Sequence, residues 1–164
     1  ELELTFAIGN TLSVALKTTN TSAVPFTFTQ ALHTYFAVSD IEQIEVSGLE
    51  KTLFVDYADA KKEKSEAESL HIDRMINRVY YPTDAACTLY DPLLKRTIVV
   101  EKEGSLSTTV WNPWEDNGIH DLPGAAYKKL LCVETTNALE DARTLQPGES
   151  HLIVQKVSPR KDGI

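Results

Sequence analysis

The sequence of 164 residues predicts an all-β fold, and three observations support this prediction. Short segments in which apolar and polar residues alternate recur along the chain, as expected for strands with one buried face. Turn-forming pairs such as Asp91-Pro92 and Pro147-Gly148 separate several of these segments. The Ala-, Lys- and Glu-rich region 55–70 has no apolar stripe, which favours a solvated loop over a short helix. Many short strands at this spacing are typical of an antiparallel sandwich or barrel.

The first predicted element is a β-hairpin. Apolar residues alternate over 2–8 and again over 12–16, on either side of Gly9-Asn10. A glycine at the first position of a two-residue loop favours a type II′ turn. The remaining predicted strands cover residues 26–38, 41–46, 72–81, 86–90, 96–101, 106–111, 127–134 and 152–157. We find no sign of an internal domain boundary.

Composition limits the classes of partner. The chain has 24 acidic and 16 basic residues, a formal net charge of −8, which argues against a broad nucleic-acid-binding face but allows a local cationic pocket. No apolar run approaches the roughly 18 residues that a membrane helix needs, and the first residues do not resemble a signal peptide. Cys87 and Cys132 have no CxxC spacing, so we expect two buried free thiols in a reducing, cytoplasmic compartment.

Two ionisable residues in apolar strands are the candidates for proton transfer. His33 lies in the aromatic segment 30–36, where it is either a core histidine or a general acid or base with a pKa near neutrality. Glu134 follows Leu131-Cys132-Val133, where it is either a structural ion-pair partner or a base whose pKa is raised by burial. A histidine and a carboxylate together suit proton transfer on a sugar ring.

A third segment could bind a sugar. Trp111-Asn112-Pro113-Trp114 places two indole rings beside an amide at a strand end. Indole faces stack on the apolar faces of sugar rings, although core packing is the alternative. The remaining histidines, at positions 71, 120 and 151, lack metal-ligand spacing, so we predict no metal site.

Several short segments, in order, resemble the hexose-phosphate mutarotases, also called glucose-6-phosphate 1-epimerases, which are relatives of the galactose mutarotases. The resembling segments are 31–36, 46–49, 78–80, 110–114, 132–134 and 145–148. The resemblance implies a large antiparallel β-supersandwich with a shallow sugar cleft. It covers only the C-terminal part of these proteins, so residues 1–164 would be that part of one domain. An N-terminal segment would complete it and supply a second histidine and the arginines that hold the phosphate.

The resemblance also implies roles for individual residues. His33 would protonate the ring oxygen of an aldohexose 6-phosphate, with glucose 6-phosphate as the expected substrate. Glu134 would take the proton from the anomeric hydroxyl, and the ring would open and close without a metal or an organic cofactor. The residues expected to contact the sugar are Gln30, Asn77, Trp111, Asn112 and Trp114.

One departure from the family affects the expected chemistry. The family usually has an aspartate where this chain has Asn77, which keeps a carbonyl acceptor but lacks the charge. Three hypotheses follow: an epimerase for α and β anomers, a catalytically weak sugar-phosphate-binding relative, and a β-sandwich interaction module in which His33 and Glu134 are structural.

Overall fold

The computed structural model describes residues 1–59, 63–115, 119 and 122–160, and its regular structure is almost entirely antiparallel β-sheet. Three short 3₁₀ helices lie at Ile41–Gln43, Ala126–Lys129 and Leu139–Asp141. The strands within the described residues are β1 (Leu2–Ile8), β2 (Leu12–Thr19), β3 (Phe26–Phe28), β4 (Gln30–Leu32), β5 (Tyr35–Ala37), β6 (Glu45–Ser47), β7 (Phe54–Asp56), β8 (Glu63–Lys64), β9 (Leu70–His71), β10 (Ile76–Tyr80), β11 (Cys87–Asp91), β12 (Arg96–Glu103), β13 (Ser107–Asn112), β14 (Leu130–Asn137), β15 (Arg143–Leu145) and β16 (Ser150–Pro159).

Two seven-stranded sheets pack face to face, which confirms the predicted antiparallel sandwich. The first sheet has the order β1-β2-β16-β12-β11-β6-β9, and the second has the order β4-β14-β13-β10-β7-β8, with β5 also paired to β14. The hydrophobic core lies between them, where Leu89 and Val100 of the first sheet meet Val110, Leu131 and Val133 of the second. The second sheet therefore has one face on the core, and its other face is available for a site.

The first hairpin is present, but its turn differs from the prediction. β1 and β2 pair from Leu2↔Thr18 to Ile8↔Leu12, which leaves three residues in the loop instead of two. The N–H of Gly9 donates to the carbonyl of Thr11 at 3.1 Å, and Gly9 does not have the positive φ that a type II′ turn requires. The predicted turn type was therefore wrong.

The segment 26–38 was predicted to contain a strand that carries His33, but it forms three strands in the structure, and His33 lies between two of them. β3 pairs with β15 in a separate two-stranded sheet, whereas β4 and β5 pair with β14. A tight turn separates β4 from β5, because the N–H of Thr34 donates to the carbonyl of Leu32 at 3.0 Å. The apolar alternation does not reveal this interruption, since both halves face the same neighbouring strand.

The predicted strand 41–46 begins as a 3₁₀ helix. The Asp40 side chain accepts a hydrogen bond from the N–H of Glu42 and caps the helix. In a 3₁₀ helix residues i and i+3 lie on the same side, so Ile41 and Ile44 are both fully buried. Only Glu45–Ser47 is extended, as β6.

Other predicted boundaries shift by a few residues. The segment 127–134 begins with a 3₁₀ helix, and region 55–70, predicted as a loop, also contains the short strand β8. The predictions missed the short strand β15. Cys87 and Cys132 are both buried and free, as expected. None of the described helices is long and apolar enough to cross a membrane.

Candidate functional site

Strand register brings the candidate residues together on the outer face of the second sheet. Residues directly opposite one another in neighbouring strands share a face, and alternate residues along each strand share it too. The register gives two rows across the sheet, Val79–Thr109–Glu134 and Asn77–Trp111–Cys132–Tyr35. The face that these rows share is opposite to that of Val110 and Val133, which belong to the core.

His33 reaches this face from the turn between β4 and β5. Its Nε2 atom lies 3.3 Å from Oε1 of Glu134, although 101 positions separate the two residues in the chain. The His33 side chain is 46% exposed and the Glu134 side chain only 6% exposed. A proton can therefore pass between a solvent-facing imidazole and a nearly buried carboxyl group.

Burial raises the pKa of the carboxyl group in this pair. Desolvation raises the pKa of Glu134 from its ordinary value of 4.5 to about 7. Burial, and after it the Glu134 charge, raises the pKa of the neighbouring Cys132 thiol well above its ordinary value. At neutral pH Glu134 can therefore give or take a proton, whereas Cys132 stays a neutral thiol.

A cleft of about 420 Å³ opens beside Glu134, and it is large enough for a monosaccharide. Two of the predicted sugar-contacting residues, Gln30 and Asn77, line it together with Glu134. The other lining residues are Thr29, Ala31, Tyr57, Val79, Thr109, Thr136 and Ala138. The sequence analysis missed Tyr57, because it lies in the region interpreted as a solvated loop.

Three aromatic rings form one wall of the site. His33 stacks on Tyr35 with ring centroids 4.9 Å apart and an angle of 18° between the planes. Trp111 contacts both rings edge-on, at 5.9 Å from His33 and 6.1 Å from Tyr35. Trp111 therefore lies beside the acid–base pair, but it is not among the residues that line the cleft, and its contact with the sugar stays a prediction. Tyr35 was not predicted as a site residue, although its two-residue spacing from His33 could have indicated it.

Asn112 and Trp114 do not enter the cleft, unlike the prediction for them. Asn112 is fully buried; its amide donates to the carbonyls of Tyr127 and Leu130, each at 2.9 Å, and its carbonyl accepts from the N–H of Trp114. Trp114 packs against the hydrophobic core and the Tyr127 ring. Asn112 follows Trp111 directly, and alternation turns it to the other face of the sheet.

One group of donor atoms in the described part of the chain is close enough to surround a metal ion. The donor atoms of His33, Cys132 and Glu134 lie within 4.8 Å of one another. Metals bind thiolates, and burial keeps the Cys132 sulfur protonated, so proton exchange between His33 and Glu134 suits this group better. The expectation of no metal stays a prediction. His71 is exposed, His151 contacts Asn137 at 3.1 Å, and His120 lies outside the described residues.

Comparison with known proteins identifies similar chains. Residues 1–158 match the family model described as aldose 1-epimerase. A protein of Cenchrus ciliaris named "Putative glucose-6-phosphate 1-epimerase" is 37% identical over 156 residues, which cover 91% of this chain and 47% of that protein. A protein of Escherichia coli K12 with the same name is 34% identical over 151 residues, covering 90% and 49%.

A solved structure shows the same fold. A crystal structure of a mutarotase-like protein from Salmonella typhimurium, described there as a "putative mutarotase", superposes with a TM-score of 0.87 at 29% identity. The match covers 98% of this chain and 54% of that protein. The chain therefore spans about half the length of the relatives that it matches.

Proposed function

Because the chain belongs to the aldose 1-epimerase family, we propose that its protein interconverts the α and β anomers of an aldohexose 6-phosphate, with glucose 6-phosphate as the substrate. The observation that supports this most directly is the 3.3 Å contact between His33 and Glu134 at the edge of a monosaccharide-sized cleft. Anomer exchange needs one group that removes the proton of the anomeric hydroxyl and one that protonates the ring oxygen.

The burial of each group suggests which role it has. Glu134, with a pKa of about 7, takes the proton from the anomeric hydroxyl, because a base with a raised pKa is strong enough and still half ionised at neutral pH. His33 gives a proton to the ring oxygen from the exposed side of the pair. The ring opens to the aldehyde, the C1–C2 bond rotates, and closure on the other face returns both protons.

The cleft suggests how the sugar is held. Gln30 and Asn77 line the cleft and hydrogen-bond the sugar hydroxyls. The apolar face of the sugar lies against the aromatic wall of His33, Tyr35 and Trp111. Asn112 and Trp114 have no role in this proposal, because Asn112 is fully buried and Trp114 packs against the hydrophobic core.

Residues outside this chain supply the phosphate-binding groups in this proposal. The described residues that line the cleft include no lysine or arginine, while the relatives are about twice as long as the chain. Strand β1 also exposes apolar side chains, with Leu2 at 69%, Leu4 at 52% and Phe6 at 59% exposed. In this proposal, residues 1–164 form one domain together with the additional segment of the longer relatives, and that segment covers β1. Two free thiols favour a reducing, cytoplasmic compartment for that protein.

Saturation-transfer NMR on glucose 6-phosphate tests the function in the unmodified full-length protein, which we call the parent. We expect exchange above the buffer rate in the parent and a loss of about 10²–10⁴-fold in Glu134→Gln, since this change removes the base and preserves the shape. Glu103→Gln is the matched control, because Glu103 is exposed and pairs with Lys156 on the first sheet, away from the cleft. Unphosphorylated glucose, measured in parallel, shows whether the phosphate is required.

The asparagine at position 77 favours a second function, a weak relative that binds sugar phosphate without fast exchange. A folded parent that binds glucose 6-phosphate but gives only the buffer exchange rate would establish this alternative and reject the epimerase. Asn77 lines the cleft, and the absence of a carboxylate charge at this position would weaken the hydrogen bonds to the sugar hydroxyls.

A further inference from the structure

Gln155 connects the two sheets directly behind the proposed acid–base pair. It lies in β16 of the first sheet, and its side chain is fully buried. Its Oε1 atom accepts a hydrogen bond from Oγ1 of Thr34. Its Nε2 atom donates to the carbonyl of Val133 at 3.0 Å and to Oγ1 of Thr135 at 3.2 Å. The three partners belong to the second sheet or its turn, and they flank His33 and Glu134 in sequence.

These hydrogen bonds occur where the sheet is interrupted. β4 and β5 pair with β14 at Leu32↔Thr135 and Tyr35↔Cys132, and the register includes no pair between them. The turn at positions 33 and 34 therefore lies beside Val133 and Glu134 without ladder hydrogen bonds to hold its distance from β14. Gln155 spans this gap, because one end of its carboxamide holds the turn and the other end holds the strand.

We propose that Gln155 is a positioning residue that sets the distance between His33 and Glu134, and this proposal rests on the proposed function of that pair. A displacement of about 1 Å in a reacting group can lower a rate about 100-fold. A carboxamide suits this role, since it offers one acceptor and two donors in a fixed plane and carries no charge. It supports the pair from the core side, so it does not occupy the cleft.

The alternative is that Gln155 only joins the two sheets. Asn112 provides the matched comparison, because it is another fully buried carboxamide of the second sheet with three hydrogen bonds to the backbone. Its partners lie around the 3₁₀ helix Ala126–Lys129, away from the turn that carries His33. If buried carboxamides matter only for stability, their removal at either position should lower activity only as far as it lowers stability.

The test compares Gln155→Met, Thr34→Val and Asn112→Leu in the protein as its gene encodes it. We expect Gln155→Met and Thr34→Val to lower kcat about 10–100-fold at unchanged KM, because the pair is displaced while the cleft is kept. Thr34→Ser retains the hydroxyl and should keep the parental kcat. Asn112→Leu should lose stability without a comparable loss of kcat. Thermal unfolding of each variant provides the comparison of stability.

A second readout does not depend on turnover. The Glu134 carboxyl is followed by ¹³C NMR, and we expect its midpoint of about 7 in the parent to fall towards 4.5 in Gln155→Met as water enters beside it. The described titratable groups around Glu134 are His33, Tyr35, Cys132 and Tyr57, so the imidazole signals are recorded in the same titration.

Each result decides the proposal. Parental kcat and a parental Glu134 midpoint in folded Gln155→Met and Thr34→Val would overturn it, as would an equal loss of kcat in Asn112→Leu at equal stability. If Gln155→Met does not fold, Thr34→Val and Thr34→Ser decide in its place. If the parent shows no anomer exchange, the proposed function fails, and the Glu134 midpoint in the same variants alone decides whether Gln155 positions the pair.

Discussion

Two close pairs of ionisable side chains lie on opposite faces of the second sheet, and they differ in how many hydrogen-bond donors surround the carboxyl group. On the face opposite to the cleft, Nε of Arg78 lies 3.2 Å from Oδ2 of Asp56, and both side chains are less than 5% exposed. Arg78 also donates to Glu66 at 2.7 Å. On the cleft face, His33 and Glu134 approach to 3.3 Å, but the imidazole is 46% exposed.

The difference indicates which pair is structural and which is available for chemistry. Asp56 accepts hydrogen bonds from Arg78 and from the N–H groups of Ala58 and Asn77, so several donors hold its carboxyl group in place. Glu134 is nearly buried beside His33, and burial raises its pKa to about 7. The first pair is therefore held by several hydrogen bonds, whereas the buried Glu134 carboxyl group can exchange its proton near neutral pH.

The largest effect is expected where the structural pair is broken. Asp56→Ala leaves the Arg78 guanidinium buried with one carboxylate fewer, which should lower the free energy of unfolding by about 3–5 kcal/mol. Chemical denaturation measures this change. Asp73→Ala, which removes the exposed partner of Arg74, is the control and should cost less than about 1 kcal/mol. Equal effects from the two substitutions would contradict the comparison.

A smaller effect of opposite sign is expected at the cleft pair. The folded-state pKa of Glu134 lies above its ordinary value, so the folded protein binds this proton more tightly than the unfolded chain. The contribution is fully present below about pH 4.5 and is lost as the pH rises to about 7. Glu134→Gln should therefore raise the free energy of unfolding by up to about 3 kcal/mol at pH 8, because it removes a buried charge.

Thermal unfolding at pH 8 and pH 4 tests this second expectation. Parent and Glu134→Gln should have nearly the same stability at pH 4, where both side chains are neutral. A loss of stability at pH 8 would show instead that the Glu134 charge is structural, as the hypothesis of a plain interaction module requires.

The smallest effect is expected at Asn77. Asn77 lines the cleft. Asn77→Asp introduces at this position the carboxylate that the family resemblance implies. A charged acceptor holds a sugar hydroxyl more strongly by about 1 kcal/mol, so KM for glucose 6-phosphate should fall about fivefold. Asn77→Ala removes the acceptor and should raise KM. Unchanged KM in both variants would place the sugar away from Asn77.

Individual residues show how far the sequence could predict the site. The sequence analysis named Asn77 and Trp111 as expected sugar contacts, and the pairing of β10 with β13 places them opposite each other on one face. The same alternation could have excluded Asn112, which follows Trp111 directly and turns inward. Gln155 carried a signal that the sequence analysis did not use, since a carboxamide at an inward position of an apolar strand needs buried hydrogen-bond partners. Tyr57 carried none, because its region shows no regular alternation.

The sequence by itself determined the fold class and the residues that could exchange protons. Period-two alternation requires strands with two unlike faces, and His33 and Glu134 are ionisable groups within apolar segments. Only the tertiary structure decided that these two side chains meet. Their contact depends on a turn that interrupts pairing with β14, and on the depth of Glu134 in the protein, which raises its pKa. Both are properties of packing between strands distant in sequence, which no local pattern of residues encodes.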